Sequence, residues 1–393
     1  MITTLDKSSR TLQVQAKNAA GNVTADVAYS YAKNGKDTDS VQTRTSGKEE
    51  GIPAGAITSY QYDSMGRLGK AEEKTGSTVN ASWSYGFDKA GNRTTQTRTG
   101  NTGAAAGTTG YTYNAANQLT KTTADTTAWV YDAAGNQVKN GMTGVVATYG
   151  DRGQVQSIGD TSFAAFGEGN TDTQSATGGR SFSNSLLGLS RQTNASTNVV
   201  QNYSRTATGE AVGFRISSSH YYVTDHLKSV IGMFSGTGIW EGGYSYSPYG
   251  EERAAAADGP LALNSLRYIG GYQESKDLYK LGARYYDASL GRFTQYDPSG
   301  QESMPYAYAA CDPINAKDPS GLACGELAAG GVLTTVVAAV GVVGTAGAVT
   351  GGAAAVVFAG WATVGSVCDA ESGTDEGGNY SPYVGPAHHD FVE

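Results

Sequence analysis

One pattern of aromatic and polar positions recurs between residues 60 and 137: aromatic, any residue, aromatic, then Asp or Asn, with Gly or Asn three residues later. The units are YQYDSMGRL (60–68), YGFDKAGNR (85–93), YTYNAANQL (111–119) and WVYDAAGNQ (129–137). A degenerate unit follows at Tyr149–Val155 and another at Tyr203–Glu210. The anchor aromatics Tyr62, Phe87, Tyr113, Tyr131 and Tyr149 are 25, 26, 18 and 18 residues apart. Aromatics at i and i+2 lie on one face of a strand. The Asp or Asn after them opens a turn through its side-chain oxygen, and Gly or Asn takes the left-handed position that closes a hairpin. The Thr-rich run Arg93–Gly100 alternates like a return strand. Each unit is therefore read as one long hairpin, and stacking hairpins buries the aromatic row, because no unit closes a core by itself. Core packing is the plain use of that row; a sugar-binding aromatic platform is the alternative.

Residues 10–31 also alternate, around an Asn-Ala-Ala-Gly-Asn turn, and predict a further hairpin. It looks like the last two strands of an immunoglobulin-like sandwich, so residues 1–32 are read as a remnant of such a domain and the polar stretch 33–58 as a linker.

Composition narrows the class. Charged residues are only 16% of the chain, against roughly a quarter in an average protein. The 54 Gly and 25 Tyr fit many short strands with aromatic faces and turns at positive φ. Of the net charge of −8, −7 falls beyond Leu322, where there is no Lys or Arg. The remainder is near neutral, so neither part carries the basic footprint of a nucleic-acid binder. The three cysteines, Cys311, Cys324 and Cys368, have no metal-ligand spacing. The N-terminus shows no basic region followed by an apolar stretch, hence no visible Sec signal.

Beyond residue 216 the motifs become specific. His220–Ser229 reads HYYVTDHLKS, Tyr244–Gly250 reads YSYSPYG, and Arg267–Tyr272 reads RYIGGY. Leu278–Asp287 (LYKLGARYYD), Gly291–Phe293 (GRF), Asp297–Gly300 (DPSG) and Asp318–Leu322 (DPSGL) follow in order. With the repeats, these resemble the YD-repeat (Rhs) family, related to teneurins and to the C component of insecticidal toxin complexes, over about residues 60–322. The resemblance implies a mainly β fold of stacked long hairpins forming a β-shell, here with only a handful of repeats. Residues 59–215 would be YD repeats and 216–322 the repeat-associated core. Residues 323–393 would be the variable C-terminal cargo.

Asp297 and Asp318 each sit in an Asp-Pro-Ser-Gly sequence, whose plain reading is a structural turn. The family resemblance implies more: paired aspartates in these two motifs act as an internal aspartic protease that cuts just after the second, here between Leu322 and Ala323. Two carboxylates close enough not to ionise together would share the work of base and acid. Asp312, in a third Asp-Pro, is a substitute for either. His220 and His226, six apart, are expected on one strand face as packed core histidines. Outside the aspartates no catalytic set is visible, no cofactor is implied and no metal site is predicted.

Residues 327–368 run 42 positions without a charge, rich in Gly and Ala, and are expected to be helical. Broken at Thr345–Gly352, they give two arms, each short for a bilayer. One reading is a membrane-inserting hairpin; the other is a segment held inside the shell. The last 25 residues are polar, and His388, His389 and Asp390 are only an adventitious metal set. The reading reached is a secreted or cell-surface shell that encapsulates and delivers a toxin-like C-terminal polypeptide, at most self-cleaving. Its expected partners are an immunity protein, secretion machinery and membrane. The alternative is a surface protein that binds carbohydrate or cells and is anchored by its tail.

Overall fold

The computed structural model describes residues 1–32, 40–100, 106–166, 173–255, 259–300, 304–322 and 326–327. The turn that the repeats predict is present at every unit. At Asp63 the backbone N–H donates to the Arg67 carbonyl (2.9 Å), and Gly66 N–H donates back to the Asp63 carbonyl (3.0 Å). Asp63 Oδ1 accepts from the N–H groups of Met65 and Arg67 at 2.9 and 3.0 Å. The same backbone pair closes turns at Asp88–Asn92, Asn114–Gln118 and Asp132–Asn136. The fourth residue is left-handed each time: Gly66, Gly91, Asn117 and Gly135 have φ of 78°, 80°, 59° and 84°. The degenerate units turn likewise at Gly150–Gln154 and Thr206–Glu210. So does the predicted Asn18–Asn22 turn, and so do Asp6–Arg10, Asp225–Ser229 and Ser247–Glu251, which lie outside the aromatic spacing.

Joined by such turns, the strands run antiparallel in chain order. A ten-stranded sheet extends from Ile2–Leu5 to Leu119–Thr122, and a twelve-stranded sheet from Ala147–Tyr149 to Glu252–Ala255. The pair Val130–Tyr131 and Gln137–Lys139 lies between them in sequence. A four-stranded sheet follows, from Tyr272–Ser275 to Arg292–Phe293. The fold is thus mainly β, and among the described residues no helix is long and apolar enough to cross a membrane.

The N-terminal region differs from its sequence reading. The hairpin Thr11–Lys17 and Val23–Tyr31 belongs to the same ten-stranded sheet as the repeats. Within the stretch read as a linker, Val41–Lys48 is a strand, paired with Val23–Tyr31 on one side and Ala56–Tyr62 on the other. Its sequence VQTRTSGK hides this. Only Val41 and Ser46 turn fully inward, and the other positions keep some contact with solvent.

A second regularity explains why the unit carries two aromatics. The first is core: Tyr60, Tyr85, Tyr111 and Trp129 are all buried. In several units the second reaches back to the preceding turn, whereas Tyr62 donates to the Val41 carbonyl at 2.7 Å. Tyr113 Oη donates to the Arg93 carbonyl (2.8 Å), Tyr149 to Gln137 (3.0 Å), Tyr31 to Thr11 (2.8 Å) and Tyr246 to Val230 (2.9 Å). Each of these carbonyls belongs to the residue directly after the turn before it. Tyr131 makes the reverse bond, its hydroxyl accepting from Leu119 N–H at 3.1 Å. Tyr113→Phe should therefore lower stability by about 1 kcal/mol. In urea denaturation the midpoint would fall with the slope unchanged; an unshifted midpoint would mean that the hydroxyl bond does not hold the stack.

The inner face of the ten-stranded sheet, with Val14, Val27, Tyr60 and Trp83, packs on Val223 and Ile231 of the second sheet. It also packs on Tyr268, Tyr286, Phe293, Tyr308 and Ile314 of the last hundred described positions. Side chains of the core segment therefore fill the space between the two sheets.

Candidate functional site

Both Asp-Pro-Ser-Gly sequences form turns whose aspartates point inward. Asp318 Oδ1 accepts from Ser320 Oγ (2.9 Å) and Gly321 N–H (2.8 Å). Asp297 accepts from Ser299 N–H at Oδ1 (3.0 Å) and Ser299 Oγ at Oδ2 (2.6 Å). Gly321 and Gly300 hold the left-handed position, at φ 62° and 64°. A turn residue ordinarily faces water, yet these two side chains are almost completely enclosed, at 1% exposure for Asp297 and 0% for Asp318.

The third member is Arg284, fully buried in the strand Arg284–Asp287 with its guanidinium over the Phe293 ring at 3.6 Å. It donates from Nη2 to Asp318 Oδ2 (3.3 Å), from Nη1 to the Pro305 carbonyl (2.8 Å) and from Nε to the Gly321 carbonyl (2.6 Å). One rigid fork thus grips a candidate carboxylate and the backbone one residue before Leu322. The same stretch is held from the other side, where Ala283 N–H donates to the Ser320 carbonyl at 2.8 Å. The approach is close: a Cβ added at Gly282 would lie 2.0 Å from Ser320 O, and one at Gly321 2.4 Å from Leu281 O. Leu322, by contrast, is 38% exposed, its N–H donating to Ser320 Oγ at 3.2 Å. Ala323 lies outside the described residues.

Gln295 links the Asp297 turn to this strand. Its Oε1 accepts from Tyr285 N–H at 2.7 Å, and Thr294 N–H donates to the Tyr285 carbonyl at 2.9 Å. Asp297 therefore follows, by two residues, a side chain bonded to the neighbour of Arg284. Arg284 lies inside the LYKLGARYYD motif but was not singled out as a site residue, and Gln295 lies outside the motifs. The available signal was a lone Arg between Ala283 and Tyr285-Tyr286 in a short apolar strand.

The repeats hold the segment that carries the site. Each turn spends the carbonyls of its first and fifth residues and leaves that of its left-handed fourth residue open. Core side chains fill these in turn. Cys311 Sγ donates to Gly91 O (3.4 Å), Arg292 Nη2 to Asn117 O (2.7 Å), Tyr306 Oη to Gly135 O (2.6 Å) and Gln295 Nε2 to Gly153 O (3.2 Å). Four successive turns thereby position Arg292, Gln295, Tyr306 and Cys311.

The remaining candidates fall elsewhere. Asp312 is committed to Asn315, whose Nδ2 donates to its two oxygens at 3.0 and 2.8 Å, while Asn315 Oδ1 accepts from Val41 N–H at 2.8 Å. Burial pushes its carboxyl up to about 7. The two histidines do not share a strand: His220 lies in Ser219–Thr224, whereas His226 lies in the turn beyond it. His220 stacks on Phe214 and bonds Glu241 through Nδ1 at 2.8 Å. His226 Nε2 donates to the Ile314 carbonyl at 2.8 Å, and burial lowers its pKa. Burial also raises the Cys311 thiol to about 11. Among the described residues no group of His, Cys, Asp and Glu is arranged to hold a metal. Cys324, Cys368, the apolar run 327–368 and His388, His389 and Asp390 lie outside them, apart from the backbone of Leu327.

Comparison with known proteins places this geometry in context. Residues 4–203 match the model of the family described as Teneurin YD-shell. The tRNA nuclease WapA of Bacillus subtilis (strain 168) is 26% identical over 295 residues, which is 68% of this chain and 11% of that protein. Salivary gland surface protein 1 of Aedes aegypti is 33% identical over 132 residues, 33% of this chain and 4% of that protein. Among solved structures, TcdB2-TccC3 without its hypervariable C-terminal region superposes with a TM-score of 0.61 at 17% identity. It covers 81% of this chain and 18% of that one. The Tc holotoxin pore of Photorhabdus luminescens gives a TM-score of 0.60 at 17% identity, with the same coverage. At such identities the structural likeness is one of fold, and the chain spans a small fraction of each relative.

Proposed function

This chain belongs to the teneurin YD-shell family, and on that premise we propose that it is the closing section of an Rhs-type shell that carries a toxin-like C-terminal polypeptide. The shell walls would be the repeats of 59–215 with the core of 216–322, and the cargo would begin at Ala323. The protein would work outside the cell that makes it or at its surface, with the apolar run 327–368 acting on a membrane after release. Arg292, Gln295, Tyr306 and Cys311, latched to four repeat turns, would hold the Asp297 turn, while Arg284 would hold the Asp318 turn just before the cargo.

The reaction we propose is hydrolysis of the Leu322–Ala323 peptide bond. The ionised carboxyl of the aspartate pair takes a proton from a water molecule as its oxygen adds to the Leu322 carbonyl carbon. The protonated carboxyl donates to the carbonyl oxygen. Collapse breaks the C–N bond, the Ala323 nitrogen takes a proton, and Leu322 keeps the new carboxylate. The two roles belong to the dyad and not to either aspartate alone. The observation that carries the reading is the Arg284 fork, which joins Asp318 to the Gly321 carbonyl, one residue before the expected cut. Holding the scissile segment against a carboxylate is what converts proximity into rate.

Intact mass of the purified chain tests it, beside Asp297→Asn and Asp318→Asn. A break after Leu322 in the wild type, absent from both variants, supports the protease. An uncut wild type leaves both aspartates as turn residues. The rival reading, a carbohydrate-binding surface protein, draws less support. The repeat aromatics are buried or half-buried, and among the described residues only Tyr221 and Tyr296 are exposed aromatics.

A further inference from the structure

We propose that the small pocket between the turn Asp88–Asn92 and the segment Leu290–Ala307 binds one halide-sized inorganic anion, held by Arg93 and Arg292. The pocket has about 20 Å³ of space, enough for one occupant of roughly water size. Two guanidiniums line it, Arg93 at 6% and Arg292 at 7% exposure, and among the described residues no carboxylate does.

The hydrogen bonding of Arg93 is incomplete. Nη1 donates to Gln96 Oε1 at 2.7 Å, but Nε and Nη2 are buried without a partner. The hydroxyls of Tyr111 and Tyr249 donate to Gln96 Oε1 (3.4 Å) and to the Cys311 carbonyl (3.1 Å), while both phenol oxygens act on the Arg93 guanidinium. Glu251, whose charge acts on Arg98 and Arg93, accepts from Ser247 Oγ at 3.2 Å. The Arg93 guanidinium is packed over the Tyr249 ring at 3.9 Å and the Tyr85 ring at 4.8 Å. Arg292 lies over Tyr306 at 4.6 Å and Tyr113 at 5.0 Å, with Nη2 on the Asn117 carbonyl. Ring faces ease a buried cation without neutralising it.

Nη2 of Arg93 packs against Gly291, the chain neighbour of Arg292, where an added Cβ would sit 2.0 Å from it. A water molecule placed there would satisfy a donor but leave two positive charges together. A halide accepts from the open donors and offsets one of the charges, which is the requirement for burying such a pair. A tetrahedral oxyanion is too large for the space. The occupant would tie the second repeat turn to the segment that leads into the Asp297 turn, whether or not the chain cleaves itself.

The full chain is denatured in sodium gluconate and in sodium chloride at equal ionic strength. With a dissociation constant of about 10 mM, 100 mM chloride raises the folded-to-unfolded ratio roughly elevenfold. Arg93→Gln, if folded, removes that gain. Equal stability in the two salts, or a gain that Arg93→Gln retains, overturns the proposal. Should the variant fail to fold, crystals of the wild type grown in bromide decide. An anomalous peak between Arg93 and Arg292 supports the site, and an empty pocket overturns it.

Discussion

An Arg284→Met variant is expected to lose roughly 3–5 kcal/mol of stability, because it leaves a buried carboxylate without its cation. Arg284 and Asp318 are both at 0% exposure, and the fork also satisfies the carbonyls of Pro305 and Gly321. All three acceptors would face a thioether that cannot donate. Chemical denaturation at neutral pH reads the loss directly. The double variant Arg284→Met with Asp318→Leu separates structure from chemistry. With both charges gone, the buried-charge penalty disappears and part of the stability returns. Cleavage after Leu322 would not return, because a dyad member is missing. If the double variant is no more stable than the single one, the cost lies in the two orphaned carbonyls and not in the ion pair. If Arg284→Met cuts at the wild-type rate, the fork does not position the scissile segment.

The second large effect is on pH. Burial raises the carboxyls of Asp312 and Glu251 to about 7 from ordinary values near 4. Both hold a proton more tightly folded than unfolded. Their contribution is thus complete below about pH 4, declines as pH rises to about 7 and is gone above it. Each can change stability by up to about 1.4 kcal/mol per pH unit inside that window. His226 opposes them: its lowered pKa costs stability as pH falls below its ordinary value. Asp312→Asn isolates one group. Relative to wild type, the variant should gain more than about 1.4 kcal/mol between pH 4.5 and pH 7.5 in urea denaturation, on top of a pH-independent offset from the altered bond to Asn315. Parallel stability curves for the two proteins would show that Asp312 is ionised throughout.

The aromatic-x-aromatic-Asp unit and its Gly or Asn were legible without any structure, because a turn is a local object. Asp63 and Gly66 close their hairpin through bonds spanning four residues, so the chemistry that makes the turn lies within the unit. The motifs from His220 to Leu322 pointed to the YD-repeat family for a similar reason, being short and ordered. Strand Val41–Lys48 was missed because its partners supply the burial that its own composition does not advertise.

The hairpin turns of the repeat units were set locally, since each depends on neighbours along the chain. The setting of Asp297 and Asp318 was decided only in three dimensions. Their turns are common ones, yet both carboxylates are buried, Asp318 against Arg284 of a distant strand, while turns more than a hundred residues upstream hold the neighbouring Gln295, Tyr306 and Cys311. An open carbonyl at Gly91, Asn117, Gly135 or Gly153 has no signature in a unit read alone. It becomes a binding position only when the repeats stack and the segment 292–311 is laid across them, because a hydrogen bond needs both partners at one place and sequence separation does not record distance.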